Sequence, residues 1–299
     1  MNNEIPAFAS NSMKRTYSQH WKDYELIDAG NNKKLERWGT IITIRPDRNA
    51  YFTPVLSEKE WQQKAHYEFI EKTTNTGTWQ SLKKEFPLSE NIEAANWQIE
   101  YKNCVFNLKL TKFKHLGIFP EQQCNWEFIK SHLLKGDRFL NLFAYTGGAS
   151  LIANSVDADV FHCDSVKQVI TWAKNNMESS SQEGIHWVLD DALKFATKEV
   201  KREKKYNGII MDPPAFGLGA KKERWNIETK FPELVKVASE LLSEKGFLII
   251  NTYSPKLKEE VIKSTVQNYF PKKNIEIKKL SIKTTTGKIL EYGELTRVY

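Results

Sequence analysis

Beyond Lys135, short apolar runs alternate with segments whose apolar residues recur at helical spacing, and that alternation sets the fold class. RFLNLFAY, VFHCDS, IHWVLDDA, NGIIMDPPAF and GFLIINTYS read as five strands. GASLIANSV, VKQVITWAKNNME, LKFATKEVKREKK, ELVKVASELLS and LKEEVIKSTVQNYF read as the helices that follow them in turn. Nearly continuous apolar strands separated by helices predict an α/β domain with a doubly wound, mostly parallel sheet covered on both faces. IEIKKLSIK and ILEYGELTRVY then predict an antiparallel hairpin at the C-terminal edge.

The earlier part of the chain has a different texture. Residues 1–18 are polar and carry no apolar period, which predicts a flexible lead. From Tyr24 the runs YELIDAG, KLERWG and TIITIRP are short and broken by Gly, Asn and Pro, as strands are. A helix is predicted from Ser57 to about Glu71, with Ser57 as N-cap and Glu60 in the capping-box position. A loop holding Trp79 follows, and WQIEYKNCVFNLKLT reads as a hairpin. The pattern divides the chain into the lead, a small strand-rich N-terminal domain over 19–112, and the α/β domain over 113–299. The junction KFKHLGIFPEQQCNWEFIKSHL carries an amphipathic helix with Trp126, Ile129 and Leu133 on one face.

Composition adds limits rather than a function. With 40% hydrophobic and 27% charged residues in 299, the chain is neither disordered nor fibrous. The net charge of +7 favours an anionic partner, although solvated lysines alone give the same balance. Cys104, Cys124 and Cys163 form no CxxC pair, so neither a disulfide framework nor a zinc ribbon is expected, and no metal. No secretory pattern and no apolar run of membrane-spanning length is present, so a soluble, cytoplasmic protein is expected, with no membrane partner. Nothing in the pattern calls for a homo-oligomer.

In doubly wound folds ligands sit beyond the carboxyl ends of the strands, and four of those loops are chemically marked. After the first strand, Tyr145-Thr146-Gly147-Gly148 permits a tight turn and close backbone approach by a carboxylate or phosphate; it equally serves as a turn alone. It is not GxGxxG, and GxxxxGK[ST] is absent. Asp164 ends the second strand, where an acid can accept from ribose hydroxyls or, with Ser165, cap the next helix. Asp190-Asp191 end the third and can accept from a purine amine or cap a helix in the same way. The fourth ends in MDPPAFG, whose prolines lack N–H groups and leave carbonyls and the Asp212 carboxylate facing the crevice. Phe216 offers a face on which a base can stack. Taken together, these loops point to a nucleoside-bearing cofactor.

These residues carry a resemblance. The run from Phe139 to Ser254 resembles a class I S-adenosylmethionine-dependent methyltransferase with its Rossmann-like domain, in the branch that includes the large-subunit ribosomal RNA methyltransferases. LNLFAYTGGAS, HCDS, LDDALKF and MDPPAFG resemble that branch's successive motifs, and HLGIFPEQQCNW and YELIDAGNNKKLERWG resemble its upstream segments. The resemblance implies S-adenosyl-L-methionine as cofactor. Asn141, Phe143, Tyr145, Thr146, Gly147 and Gly148 would then lie along its methionine portion, and Asp164 and Ser165 at the ribose. Asp190, Asp191 and Ala192 would lie near the adenine, with Phe119, Glu121 and Gln122 approaching from the junction. Asp212, Pro213, Pro214 and Phe216 would orient the methyl acceptor, Asp212 also touching the cofactor.

Two departures from the branch shape the expected chemistry. Asn141 stands where many relatives have an acid. Tyr253 stands where pyrimidine-carbon methyltransferases carry a cysteine, so transfer to a nitrogen or oxygen of RNA, ribosomal RNA first, is expected without a cysteine nucleophile. The branch's separate N-terminal RNA-binding module is not evident, since the sequence begins almost directly with the smaller domain. Lys221, Lys222 and Arg224 would attract phosphates, and Trp225 would stack on a base or pack. Methylation of a protein or small molecule, or RNA binding without catalysis, are the alternatives that the same residues leave open.

Overall fold

The computed structural model describes residues 15–73, 76–88, 96–218 and 224–299. In the N-terminal part, β1 (Arg15–Ser18), β2 (Tyr24–Gly30), β3 (Lys33–Trp38) and β4 (Ile41–Pro46) are followed by α1 (Glu58–Lys64), β5 (Tyr67–Glu71) and β6 (Gly77–Ser81). β7 (Asn96–Tyr101) and β8 (Cys104–Lys109) form a hairpin, and α2 (Gln123–His132) follows a 3-10 turn at Pro120–Gln122. The α/β part runs β9 (Arg138–Leu142), α3 (Gly148–Asn154), β10 (Asp159–Asp164), α4 (Lys167–Ser179), β11 (His186–Leu189), α5 (Ala192–Lys201) and β12 (Tyr206–Met211). It ends with the short pair β13 (Phe216–Leu218) and β14 (Arg224–Asn226), then α6 (Ile227–Leu241), β15 (Leu242–Thr252), α7 (Glu259–Tyr269), β16 (Ile275–Lys283) and β17 (Ile289–Val298).

The main sheet has the order β1-β16-β17-β15-β12-β9-β10-β11. Its five apolar strands are parallel, and β17 is antiparallel to both β15 and β16. Successive strands step one way from β9 to β11 and the other way from β12 to β15, so the order reverses between β9 and β12. A crevice opens beyond the carboxyl ends at such a reversal. A separate five-stranded sheet, β2-β3-β4-β5-β6, forms the small N-terminal layer. One buried cluster, from Tyr24 and Trp38 through Ile99, Phe106 and Trp126 to Phe139 and Phe247, joins the two layers.

Three sequence expectations change. Arg15–Ser18 belongs to no flexible lead: as β1 it pairs in parallel with Lys279–Ile282 at the sheet edge, outside the C-terminal hairpin. The predicted helix keeps its capping box, the Ser57 and Glu60 side chains each bonding the other's backbone N–H, yet stops at Lys64. Tyr67 and Phe69 alternate inward, pairing with Thr43 and Trp79, so the residues to Glu71 gain more as strand than as helix. The expected Trp79 loop is itself the strand β6. Among the described residues no helix is long and apolar enough to cross a membrane.

Candidate active site

The turn after β9 is built on left-handed backbone. Phe143, Tyr145 and Gly147 have φ of 59°, 50° and 86°, and Gly147 caps α3 in that conformation. A Cβ on Gly147 would stand 3.2 Å from both Ala173 and Leu151, and one on Gly148 3.3 Å from Trp126, so the glycines also let α3 pack closely. Thr146 is buried and donates to the Gly117 carbonyl, while Asn176 Nδ2 donates to the Thr146 carbonyl at 3.0 Å. Gly117 itself has φ of 119°, and a Cβ there would lie 2.3 Å from the Trp172 ring. Gly117→Ala is expected to lower unfolding free energy by about 2–4 kcal/mol, read by urea denaturation.

Asp164 ties this turn to the next strand. Its Oδ2 accepts the Tyr145 N–H at 2.9 Å and its Oδ1 the Val166 N–H at 2.9 Å. Each oxygen keeps a further lone pair for a ligand. Burial raises its pKa, and the N–H bonds work against that rise. Asp191 caps α5, accepting the Lys194 N–H at 2.8 Å. Burial alone would raise the Asp190 carboxyl, but Lys198 at 2.6 Å leads the groups that draw it below its ordinary value. Neither acid lines the cleft, and Ala192 is buried as the first residue of α5.

The cleft at the strand-order reversal has a volume of about 580 Å³ and is lined by Phe119, Phe143, Tyr145, Asp164, Ser165 and Asp212–Pro214 on the α/β side. A recess of about 50 Å³ continues from it past Gln122, Asn141, Thr146 and Gly148. Asn141 donates to Ser150 Oγ at 2.9 Å, and Ser150 meets His162 Nδ1 at 3.0 Å. Burial lowers the His162 pKa to about 3, so this interior chain is neutral.

Asp212 is the buried carboxyl of the loop after β12 and lines both the cleft and its recess. Its Oδ1 is shut off from solvent without a hydrogen-bond partner, and Oδ2 lies 3.4 Å from Gln122 Nε2. Burial pushes the carboxyl up to about 7, opposed by the Tyr253 hydroxyl and reinforced by the charge of Glu121. The Gln122 amide is oriented by its surroundings: Oε1 accepts from Asn125 and Asn251 at 2.8 and 3.2 Å, leaving Nε2 to donate to Tyr253 at 2.8 Å. Arg297 completes the network through Asn125 Oδ1 at 3.1 Å.

The acceptor loop differs from expectation in one respect. The Pro214 carbonyl already accepts Trp225 Nε1 at 2.7 Å, which leaves it one lone pair for a ligand, while the Trp225 ring packs 5.0 Å from Phe143. Trp225 therefore packs and braces the loop. Phe216 lies on β13 with 59% of its surface exposed, outside both the core and the cleft lining. Arg224 is exposed on β14, and Lys221 and Lys222 lie outside the described residues.

Sequence reasoning missed the opposite wall. Lys34, Arg45, Asp47, Lys114 and Tyr292 face the cleft from the N-terminal layer and β17. Arg45 holds Glu36 through Nε and Nη2 at 2.8 and 2.9 Å, and Lys34 stands 3.3 Å from both Glu36 and Asp47. The acid-then-apolar step Asp164-Ser165-Val166 was a usable signal: Val166 lines the cleft with 46% of its surface exposed. Among the described residues no group of His, Cys, Asp and Glu could hold a metal ion.

Comparison with known proteins adds the following. A family model described as conserved hypothetical protein 95 matches residues 122–274. A SAM-dependent methyltransferase of Agrobacterium tumefaciens of known crystal structure is 30% identical, with a TM-score of 0.86 over 94% of this chain and 92% of that one. A methyltransferase structure from Streptococcus mutans, 16% identical with a TM-score of 0.72 over 92% of this chain and 74% of that one, shares the fold. The ribosomal RNA large subunit methyltransferase K/L of Shewanella frigidimarina is 30% identical over 158 residues, which are 52% of this chain and 22% of that protein. The chain thus spans about a fifth of the length of that curated relative.

Proposed function

The chain belongs to the conserved hypothetical protein 95 family and to the class I S-adenosylmethionine-dependent methyltransferases, and from that premise we propose that it methylates a nitrogen or oxygen of RNA, with large-subunit ribosomal RNA as substrate. The observation that carries the chemistry is Asp212: a buried carboxyl with an unpartnered oxygen at the strand-order reversal, beside Tyr253 and with no thiol lining the cleft. RNA as the acceptor rests on the basic net charge of +7 and on the name of the curated relatives, of which the chain spans 22%. The three free thiols suit work in the cytoplasm. We also propose a functional division at residue 112/113, with β1 counted in the α/β domain.

The residues fit the cofactor. Asp164 keeps lone pairs for ribose hydroxyls, the exposed Val166 in the cleft lining offers an apolar contact for the adenine, and the recess by Asn141 and Gly148 suits the amino-acid end. When bound, the cofactor supplies a methyl group already activated on a sulfonium. The chain's own part is placement and charge: the Gln122–Tyr253 pair holds the Asp212 carboxyl, and Asp212 accepts a donor of the acceptor or steadies positive charge developing on it. Trp225 keeps the Pro213–Pro214 segment rigid. Lys34, Arg45 and Tyr292 form the opposite wall of the cleft and place cationic and hydroxyl groups facing the acceptor loop.

Incubation of the full chain with tritium-labelled cofactor and fractionated cellular RNA, protein and metabolites tests the reading. Label is expected in RNA, with one modified nucleoside missing from cells that lack the gene, and label confined to protein or metabolites would overturn the RNA assignment.

A further inference from the structure

A second groove of about 650 Å³ lies beside the cleft, between the residues after β4 and those after β15. Asn49, Tyr253 and Tyr292 line both spaces, so the two adjoin along these residues. At the rim of this groove stands Tyr51, with 83% of its surface exposed. Its ring has an edge contact with Phe52 at 5.9 Å, and Lys288 Nζ sits 5.7 Å from the Phe52 ring. The groove's charge is largely self-neutralised. Arg15 pairs with Glu291 and Lys279 with Glu294, and the remaining lining charges, Lys258 and Glu259, offset each other.

Building on the RNA reading above, we propose that this groove seats the unpaired nucleotide next to the methyl acceptor, with Tyr51 as its stacking platform. An acceptor atom on a base can reach the buried Asp212 carboxyl only if that base leaves the stack. Its neighbour then loses a stacking partner. The way from the cleft past Asn49 and Tyr292 leads that neighbour to the one strongly exposed tyrosine on the rim of either space. A ring face replaces base stacking whatever the base. Because the groove is near neutral, this contact works by stacking and not by phosphate neutralisation.

The test uses the full chain with protein-free large-subunit ribosomal RNA from cells lacking the gene. It measures RNA affinity at about 50 and about 200 mM salt, and ultraviolet cross-links mapped by peptide mass spectrometry. Tyr51→Ala should weaken RNA binding about tenfold, by the same factor at both salt concentrations, and Tyr51→Trp should restore it. Cofactor affinity should stay unchanged in both variants, since Tyr51 lies outside the cleft lining. A wild-type cross-link at Tyr51 is expected. If the wild type binds and methylates RNA while Tyr51→Ala matches it and no cross-link falls in residues 49–56, the platform is wrong and the RNA reading stands. If the wild type neither binds nor methylates RNA, both fall.

Discussion

Asp212→Asn is expected to slow methyl transfer by about two to three orders of magnitude while leaving cofactor affinity within about threefold. The substitution keeps the shape of the side chain and removes its charge. The amide can keep its oxygen toward Gln122 Nε2, whose orientation is fixed by Asn125 and Asn251, and then puts a donor in place of the unpartnered Oδ1. With the Asp212 carboxyl pushed up to about 7 by burial, its ionised fraction grows through neutral pH. The wild-type single-turnover rate should therefore rise with pH up to about 7 and level off, and the variant should be flat and low. An Asn variant that turns over at the wild-type rate would remove Asp212 from the reaction.

The same shift sets a stability prediction of opposite sense. Between the ordinary carboxyl value of 3.8 and about 7, the native state holds a proton that the unfolded chain has lost. Stability contributed by Asp212 is thus full at low pH and is lost as pH rises through about 7. Above that pH, Asp212→Asn should raise unfolding free energy by on the order of 1–3 kcal/mol, as expected where a site trades stability for activity. Urea denaturation at about pH 5 and about pH 8.5 should show a gain at both, and the larger one at the higher pH.

Asp164→Ala is expected to weaken S-adenosylmethionine binding by roughly 10- to 100-fold, measured by calorimetry, from the loss of charge-assisted acceptors for the ribose. The carboxylate also accepts the Tyr145 and Val166 N–H groups, so its removal leaves the turn after β9 without its tie to β10. That second loss falls on Tyr145, whose φ of 50° already needs support. Asp164→Asn keeps an acceptor for one of these groups and should fall between the two. Unchanged affinity in Asp164→Ala would contradict the placement of the ribose.

The α/β order was legible because its strands are apolar on both faces, a pattern only a covered parallel sheet explains. β1 was not, since RTYS is polar and it is held by partners far along the chain, from the Glu121 carbonyl to the strand near residue 280. The residues Tyr67–Glu71 were misread because a short apolar run fits two periods, and the choice lies with its partners Thr43 and Trp79. At the site, the loops could be located but not the destinations of their atoms. Asp190 and Asp191 carry equal capping and ligand signals in sequence; in space one meets Lys198 and the other caps α5. The wall of Lys34, Arg45 and Tyr292 draws on strands more than 240 residues apart, so no local window shows it.

β1 bears on when the protein becomes competent during its synthesis. Ser18, the last residue of β1, donates its hydroxyl to the Glu121 carbonyl, and the Gln19 N–H reaches Gln123 Oε1 at 2.8 Å, so this segment fastens the turn that presents Gln122. The segment is itself held by pairing with Lys279–Ile282. A ribosome delivers Arg15 264 residues before its partner Lys279. The eight-stranded sheet can close only after residue 282 has emerged, so the cleft is completed late and stalled nascent chains lack it.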